Sequence, residues 1–422
     1  VIGQGRRAAA TAASCALLLG LLTSCAAGSD PESDAESDGG TPTLLWLTPP
    51  DVAGLAALAR ECTDAAGGEY RIEVEELPAD RSARRVSLIE RLRSGHDDVD
   101  LVGVETALTA ELDASGLLGK LPASREDDLV EDRSETSVAA SSVDDRLVTV
   151  PWWYEPQVLW FRGSAAERAG LSTSGTVTWD DLVAGAARTA STVQIVDDGG
   201  MTTWVNALVA GAGGTLLKGA GEGRDPQIGL DTAAGRRAAS IVEAFADAGV
   251  GPGPSADALQ QFAAPRGAFL VGPSSLASHP DLAVIAGELR AMPYPTTEPD
   301  QPGAPLAGVG LAPTASSADP DLALDAIECL TSLESQETLA RTTGHTPTRE
   351  SLLGSTEETT ADDRDALVRN ALSTGVPEPV SPHVAQLWTA IDGGWSPVTR
   401  VDTDTPAETQ VAAERLIGGG LP

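Results

Sequence analysis

Between residues 43 and 104 the 422-residue chain alternates between two periodicities, and this alternation restricts its fold more than any other feature. Residues 43–47 form a short apolar run. Residues 51–66 carry Val52, Leu55, Leu58 and Cys62 on one helical stripe that stops at Gly67-Gly68. Residues 71–75 alternate as a strand, 81–94 read as a helix, and 99–104 return to strand. A strand–helix–strand–helix–strand order implies a parallel sheet with helices on its faces. Ligands of such sheets bind beyond the carboxyl ends of the strands, so 103–107 becomes a candidate site.

The length predicts two or three folded units. Hydrophobic residues are 41 % and charged residues 21 %, the balance of a soluble globular protein. Lys and Arg total 28 against 62 Asp and Glu, a net charge of −34. That field repels phosphate backbones and excludes nucleic acid as a partner. Further helical patterns fall at 179–189, 201–212, 233–248, 321–332 and 382–392, with Pro/Gly-rich joints at 251–254 and 293–305. The segment 147–161 (LVTVPWWYEPQVLWF) is strongly apolar, but Pro151 and Pro156 break its runs.

The first residues have the layout of an export signal. Arg6 and Arg7 precede a short apolar run that ends at Leu22-Thr23-Ser24-Cys25. Those four residues resemble a bacterial lipobox, so 1–24 is read as a lipoprotein signal peptide and Cys25 as the lipidated mature N-terminus. The acidic, Ser- and Gly-rich stretch 25–42 is then a flexible tether. Cys15 would leave with the signal, and Cys62 and Cys329 remain as an even pair in an exported chain. They are expected to form a disulfide between two packed helices. The histidines His96, His279, His345 and His383 are scattered, and no metal site is expected.

No His-Glu-x-x-His, Gly-Lys-Ser/Thr loop or Gly-x-Ser-x-Gly elbow occurs. The Gly-rich stretches 211–214 and 219–223 neither follow a strand nor open a helix, so no cofactor is expected. With 62 acids, a glycosidase pair of carboxylates stays open. Tryptophan is prominent: eight residues, against three Tyr and four Phe. Trp152, Trp153, Trp160, Trp204 and Trp388 fall in or beside cleft segments, where an indole can stack on a pyranose ring or face a cation. Trp160 reads as core, and core packing is the alternative for each of the others.

Several segments, in order, carry a family resemblance. DLVGVETALTAELDASGLL (100–118), PWWYE (151–155), TWVNA (203–207) with Gly213-Gly214, GAFLVGP (267–273), PLAGVGL (305–311) and PVSP (379–382) with Trp388 resemble the extracellular solute-binding proteins of bacterial ABC importers, of the maltose/maltodextrin- and trehalose-binding type. The resemblance implies an α/β, two-lobed periplasmic-binding-protein fold. Each lobe is a mainly parallel sheet flanked by helices, 43–150 with 297–345 and 151–296 with 346–422, joined by a hinge. It also implies a lipid-anchored monomer on the outer face of the cell membrane, not an enzyme, that closes on a di- or oligosaccharide and delivers it to permease subunits. The residues it assigns to the ligand are Glu105, Thr106, Trp152, Trp153, Glu155, Thr203, Trp204, Asn206, Ser274, Glu378 and Trp388. Glu105, Glu155 and Glu378 would repel one another unless a cation shared the site. This keeps open a cationic ligand, such as an amino sugar or other amine, on the same fold; a secreted glycosidase is the other alternative.

Overall fold

The computed structural model describes residues 41–50, 54–95, 99–173, 175–197, 199–218, 226–299, 301, 303–354 and 364–419. The proposed signal peptide, Cys25 and the tether up to Gly40 lie outside the described residues. Strand β1 (Thr43–Thr48) pairs in parallel with β2 (Arg71–Glu76) and β3 (Val99–Glu105). Helix α1 (Leu55–Ala65) makes the first crossover and buries Leu55, Leu58 and Cys62, the stripe read from the sequence. Helix α2 (Arg81–Ser94) makes the second. Asp80 caps it by accepting the Ala83 N–H at 2.8 Å, and Gly95, at φ 59°, ends it in the left-handed region.

The segment around the two prolines is a single strand, β4 (Val150–Arg162), and both prolines lie inside it. Beyond it come β5 (Thr192–Val196), β6 (Gly267–Pro273), β7 (Leu289–Pro293) and β8 (Pro305–Pro313). They complete one sheet whose main order is β5-β6-β4-β8-β3-β1-β2, with β7 paired to β4 off this path. The amino half of β4 runs antiparallel to β8, and its carboxyl half runs antiparallel to both β6 and β7. Pro151 sits at a register shift against β8, and Pro156 sits where β4 exchanges one set of partners for the other. A missing N–H is tolerated at such irregular places, which explains why these prolines do not break the strand. Parallel pairing holds on the flanks, β2-β1-β3 and β5-β6, while the middle of the sheet is antiparallel.

Helices α3 (Trp179–Arg188), α4 (Gly200–Gly211) and α5 (Ala233–Asp247) cover the β5-β6 side. Their core gathers Trp179, Trp204, Phe245 and Trp395. On the other side, α1 and α6 (Pro320–Leu330) enclose Trp46, Trp152, Leu58 and Ile327. The predicted helix 321–332 ends early because Ser332 caps a new helix, α7 (Leu333–Thr343), by accepting the Ser335 N–H. Cys62 of α1 and Cys329 of α6 are joined by a disulfide. Near the C-terminus, α8 (Val384–Trp395) and α9 (Thr405–Ile417) pack together. Leu387, Ile391 and Trp395 of α8 enter the core of the β5-β6 side, whereas Val384 and Trp388 join Leu47, Leu77 and Leu88 of the other. Among the described residues no helix is long and apolar enough to cross a membrane.

Candidate functional site

A cleft of about 1140 Å³ lies between the two sides of the sheet, at the level where β4 changes partners. Strand order decides what lines it. Trp153 and Glu155 come from β4, and Glu105 ends β3. Arg81 and Arg84 start α2, Thr203 and Asn206 lie on α4, and Trp388 on α8. Two short strand pairings deliver the rest. Thr346-Pro347 pairs with Trp153-Tyr154 and brings His345 to β4, and Val376-Pro377 pairs with the start of β8 and brings in Glu378.

Each of the three glutamates singled out by the sequence has a partner from the chain itself: an arginine for Glu105 and for Glu378, a histidine for Glu155. Arg84 grips Glu105 with two nitrogens, Nη2–Oε1 at 2.9 Å and Nε–Oε2 at 3.3 Å. Glu155 is 3 % exposed; its Oε1 lies 2.6 Å from His345 Nδ1 and its Oε2 accepts the Ser275 N–H at 3.4 Å. Glu378 takes Arg81 Nη2 and Trp388 Nε1 on Oε2, both at 2.9 Å, and the Thr203 hydroxyl on Oε1 at 2.5 Å. The two arginines relieve the mutual repulsion expected of Glu105 and Glu378 inside the protein.

Two of these partners, His345 and Arg81, also lie on aromatic rings. His345 stacks on Trp153, with ring centroids 4.2 Å apart and planes 8° from parallel. The Arg81 guanidinium carbon sits 3.6 Å from the centroid of Trp388. Nearby, Asp392 lines the cleft beneath Arg81. Desolvation by the surrounding protein raises its pKa above the ordinary carboxylate value; Arg81 opposes that shift, and Asp197 and Glu378 add to it.

Of the residues assigned by sequence, Glu105, Thr106, Trp153, Glu155, Thr203, Asn206, Glu378 and Trp388 meet at the cleft. Trp152, Trp204 and Ser274 do not line it. Trp204 is 2 % exposed and packs on Trp179 and Phe245 at 5.4 and 5.3 Å, because the face of α4 that carries it turns to α5. Trp152, 1 % exposed, packs in the core on Trp46 at 5.2 Å. Ser274 turns to the Thr346 hydroxyl at 3.5 Å. Asn206 is partly engaged, its Nδ2 donating to the Pro377 carbonyl at 3.0 Å.

Sequence reasoning missed Arg81, Arg84, His345 and Asp392. A signal for the arginines existed. Both sit in the opening turn of α2, where the helix dipole disfavours cations and no acid of the same turn offsets them. They also follow β2 at the carboxyl end of a parallel strand, where such sheets bind ligands. His345 gave none, because the pairing of Thr346-Pro347 with β4 is invisible in the sequence. Among the described residues no group of three or more His, Cys, Asp or Glu is placed to hold a metal ion.

Comparison with known proteins agrees with this architecture. A family model for the bacterial extracellular solute-binding proteins matches residues 57–365. Among solved structures, the chain is similar to the GacH receptor of Streptomyces glaucescens, studied unliganded and with acarbose (17 % identity, 90 % of this chain and 100 % of that one, TM-score 0.72). It is similar to maltose-bound MalE3 of T. maritima (18 % identity, 89 % and 100 %, TM-score 0.72). A solute-binding protein of Thermotoga lettingae bound with alpha-D-tagatose also matches (20 % identity, 90 % and 99 %, TM-score 0.70). At these identities the likeness is one of fold: two lobes joined by a hinge.

Proposed function

The chain belongs to the bacterial extracellular solute-binding proteins, a family of binding proteins rather than enzymes, and from that membership we propose that it captures a neutral di- or oligosaccharide between its lobes for an ABC importer. The observation that carries this reading is the cleft of about 1140 Å³, lined from both sides of the sheet by hydrogen-bonding side chains in which Glu105 and Glu378 are paired with Arg84 and Arg81. Hydroxyl groups can donate to Glu105 and Glu378 and accept from Arg84. Because Glu105 and Glu378 already hold arginines, a ligand need bring no charge to meet them, which favours the neutral sugar over an amine. The solved relatives bound with maltose and with tagatose support the same class of ligand. Closure is a hinge motion about β4, stabilised by ligand contacts to both lobes. The partners are the permease subunits of the importer, and the protein acts as a monomer.

Membership of an extracellular family places the site of action outside the cytoplasm. The lipobox-like Leu22-Thr23-Ser24-Cys25 adds an anchor, a lipidated Cys25 holding the protein on the outer face of the membrane through the acidic tether. Cys25→Ala should then release the protein from the membrane fraction or block its processing; unchanged membrane retention and mobility would refute the anchor.

A thermal-shift screen of neutral saccharides and of amines, followed by calorimetry, tests the ligand class. A saccharide at a hundred times its Kd should stabilise the protein by about 2.7 kcal/mol. Its affinity should not fall as salt rises, since it forms no formal charge pair with the protein. Salt-sensitive stabilisation by an amine, with no response to any neutral saccharide, would reverse the assignment in favour of a cationic ligand.

A further inference from the structure

Arg81 belongs to α2, on the β1-β2-β3 lobe, yet the contacts described for it reach across the cleft. Its Nη1 donates to the Gly199 carbonyl at 2.8 Å, at the start of α4 on the opposite lobe. Its Nη2 pairs with Glu378, which the α4 hydroxyl of Thr203 also holds. Its guanidinium plane covers Trp388, whose ring is only 6 % exposed and whose Nε1 is fixed by the same Glu378. With the core behind it and Arg81 in front, Trp388 offers no face to a sugar in this arrangement. Gly199 is shaped to this contact. It has φ 90°, and a Cβ there would run into the Thr203 hydroxyl and come within 3.0 Å of Arg81 Nη1.

We propose that Arg81 is an interlobe latch and the specificity-determining residue of the cleft: it holds the lobes together by occupying the Trp388 platform, and a saccharide that uses that platform must displace it. A guanidinium suits the task because it is flat, permanently charged and able to stack on an indole while forking onto a carboxylate. The consequence is a two-state cleft. Either Arg81 bridges α2 to Gly199 and Glu378, or it leaves and Trp388 becomes available for stacking. The second half of the proposal rests on the saccharide reading above; the first does not.

The test compares wild type with Arg81→Ala and with Glu378→Gln, which breaks the latch from the other side, each checked for folding by far-ultraviolet circular dichroism. Small-angle X-ray scattering of the protein without added sugar reads the latch alone. A larger radius of gyration in both variants is the expected result, and unchanged radii in both would overturn the proposal whatever the saccharides do. Calorimetry with glucose, maltose and maltotriose reads the platform. Arg81→Ala should bind maltose or maltotriose about tenfold more tightly than wild type, because the binding-competent fraction rises, with a smaller change for glucose. A fall in affinity for all three sugars would show Arg81 to be a sugar-holding residue and would also overturn the proposal. Scattering that shifts while no sugar binds any of the three proteins would uphold the latch and count against the saccharide reading only.

Discussion

Glu155, 3 % exposed, and His345, 7 % exposed, meet at 2.6 Å, so each buried side chain depends on the other for a hydrogen bond. Removing one partner leaves a buried polar atom of the other without that hydrogen bond. His345→Ala should therefore cost about 1–3 kcal/mol of stability, and adding Glu155→Gln should recover part of it, because a neutral amide is less costly to leave buried than a carboxyl that has lost its partner. Urea unfolding of both single variants and the double variant measures the coupling; a double variant no more stable than His345→Ala would contradict this account. Asp392 has the opposite character. Its pKa is raised in the folded protein, mainly by desolvation, so its contribution to stability is full below the unfolded carboxyl pKa of about 3.9 and is lost as pH rises through the folded value. Asp392→Asn should accordingly raise the melting temperature at pH 7 and leave it unchanged near pH 3.5. The shift should be small, since Asp392 is exposed to the cleft. At this scale the sequence was readable for the acids and blind to their partners: Glu105, Glu155 and Glu378 stand out by chemistry, but what neutralises them depends on which strands meet.

Helix α2 was legible to the residue, since Asp80 and Gly95 are cap signals that act locally. Strand β4 was not, because Pro151 and Pro156 look like breakers until its change of partners is known. The same dependence on tertiary context hid Trp204: an indole on a wholly buried helix has no preferred side in the sequence. Two consequences belong to elements. Gly199→Ala forces a left-handed φ on a residue with a side chain at the start of α4 and should cost about 1–3 kcal/mol. Its melting temperature should fall while that of Gly213→Ala, which also has a positive φ but open space around its Cβ position, falls less. The Cys62–Cys329 bond ties α1 to α6 across 267 residues of chain, and reducing it should lower stability by about 2–5 kcal/mol. Unfolding with and without reductant measures the loss, and alkylation of both thiols only after reduction confirms the bond.

Taken whole, the molecule carries both lobes on one continuous sheet, with β4 threading the two halves. The strand–helix alternation of residues 43–104 foretold the first lobe because its contacts are sequential. The second lobe and the returning strand β8 were reached only through family likeness, since their pairings span more than a hundred residues. With the closure proposed above, saccharide binding should lower the radius of gyration of any open population without changing far-ultraviolet circular dichroism. The tryptophans add a spectroscopic consequence. All eight are at most 9 % exposed, and six of them do not line the cleft. Intrinsic emission should be blue-shifted as in dry surroundings and dominated by indoles that never sense the ligand. The chromophores that border the cleft, Trp153 and Trp388, lie against an imidazole and a guanidinium, so a change in brightness on adding sugar would report the departure of those side chains more than the arrival of the sugar.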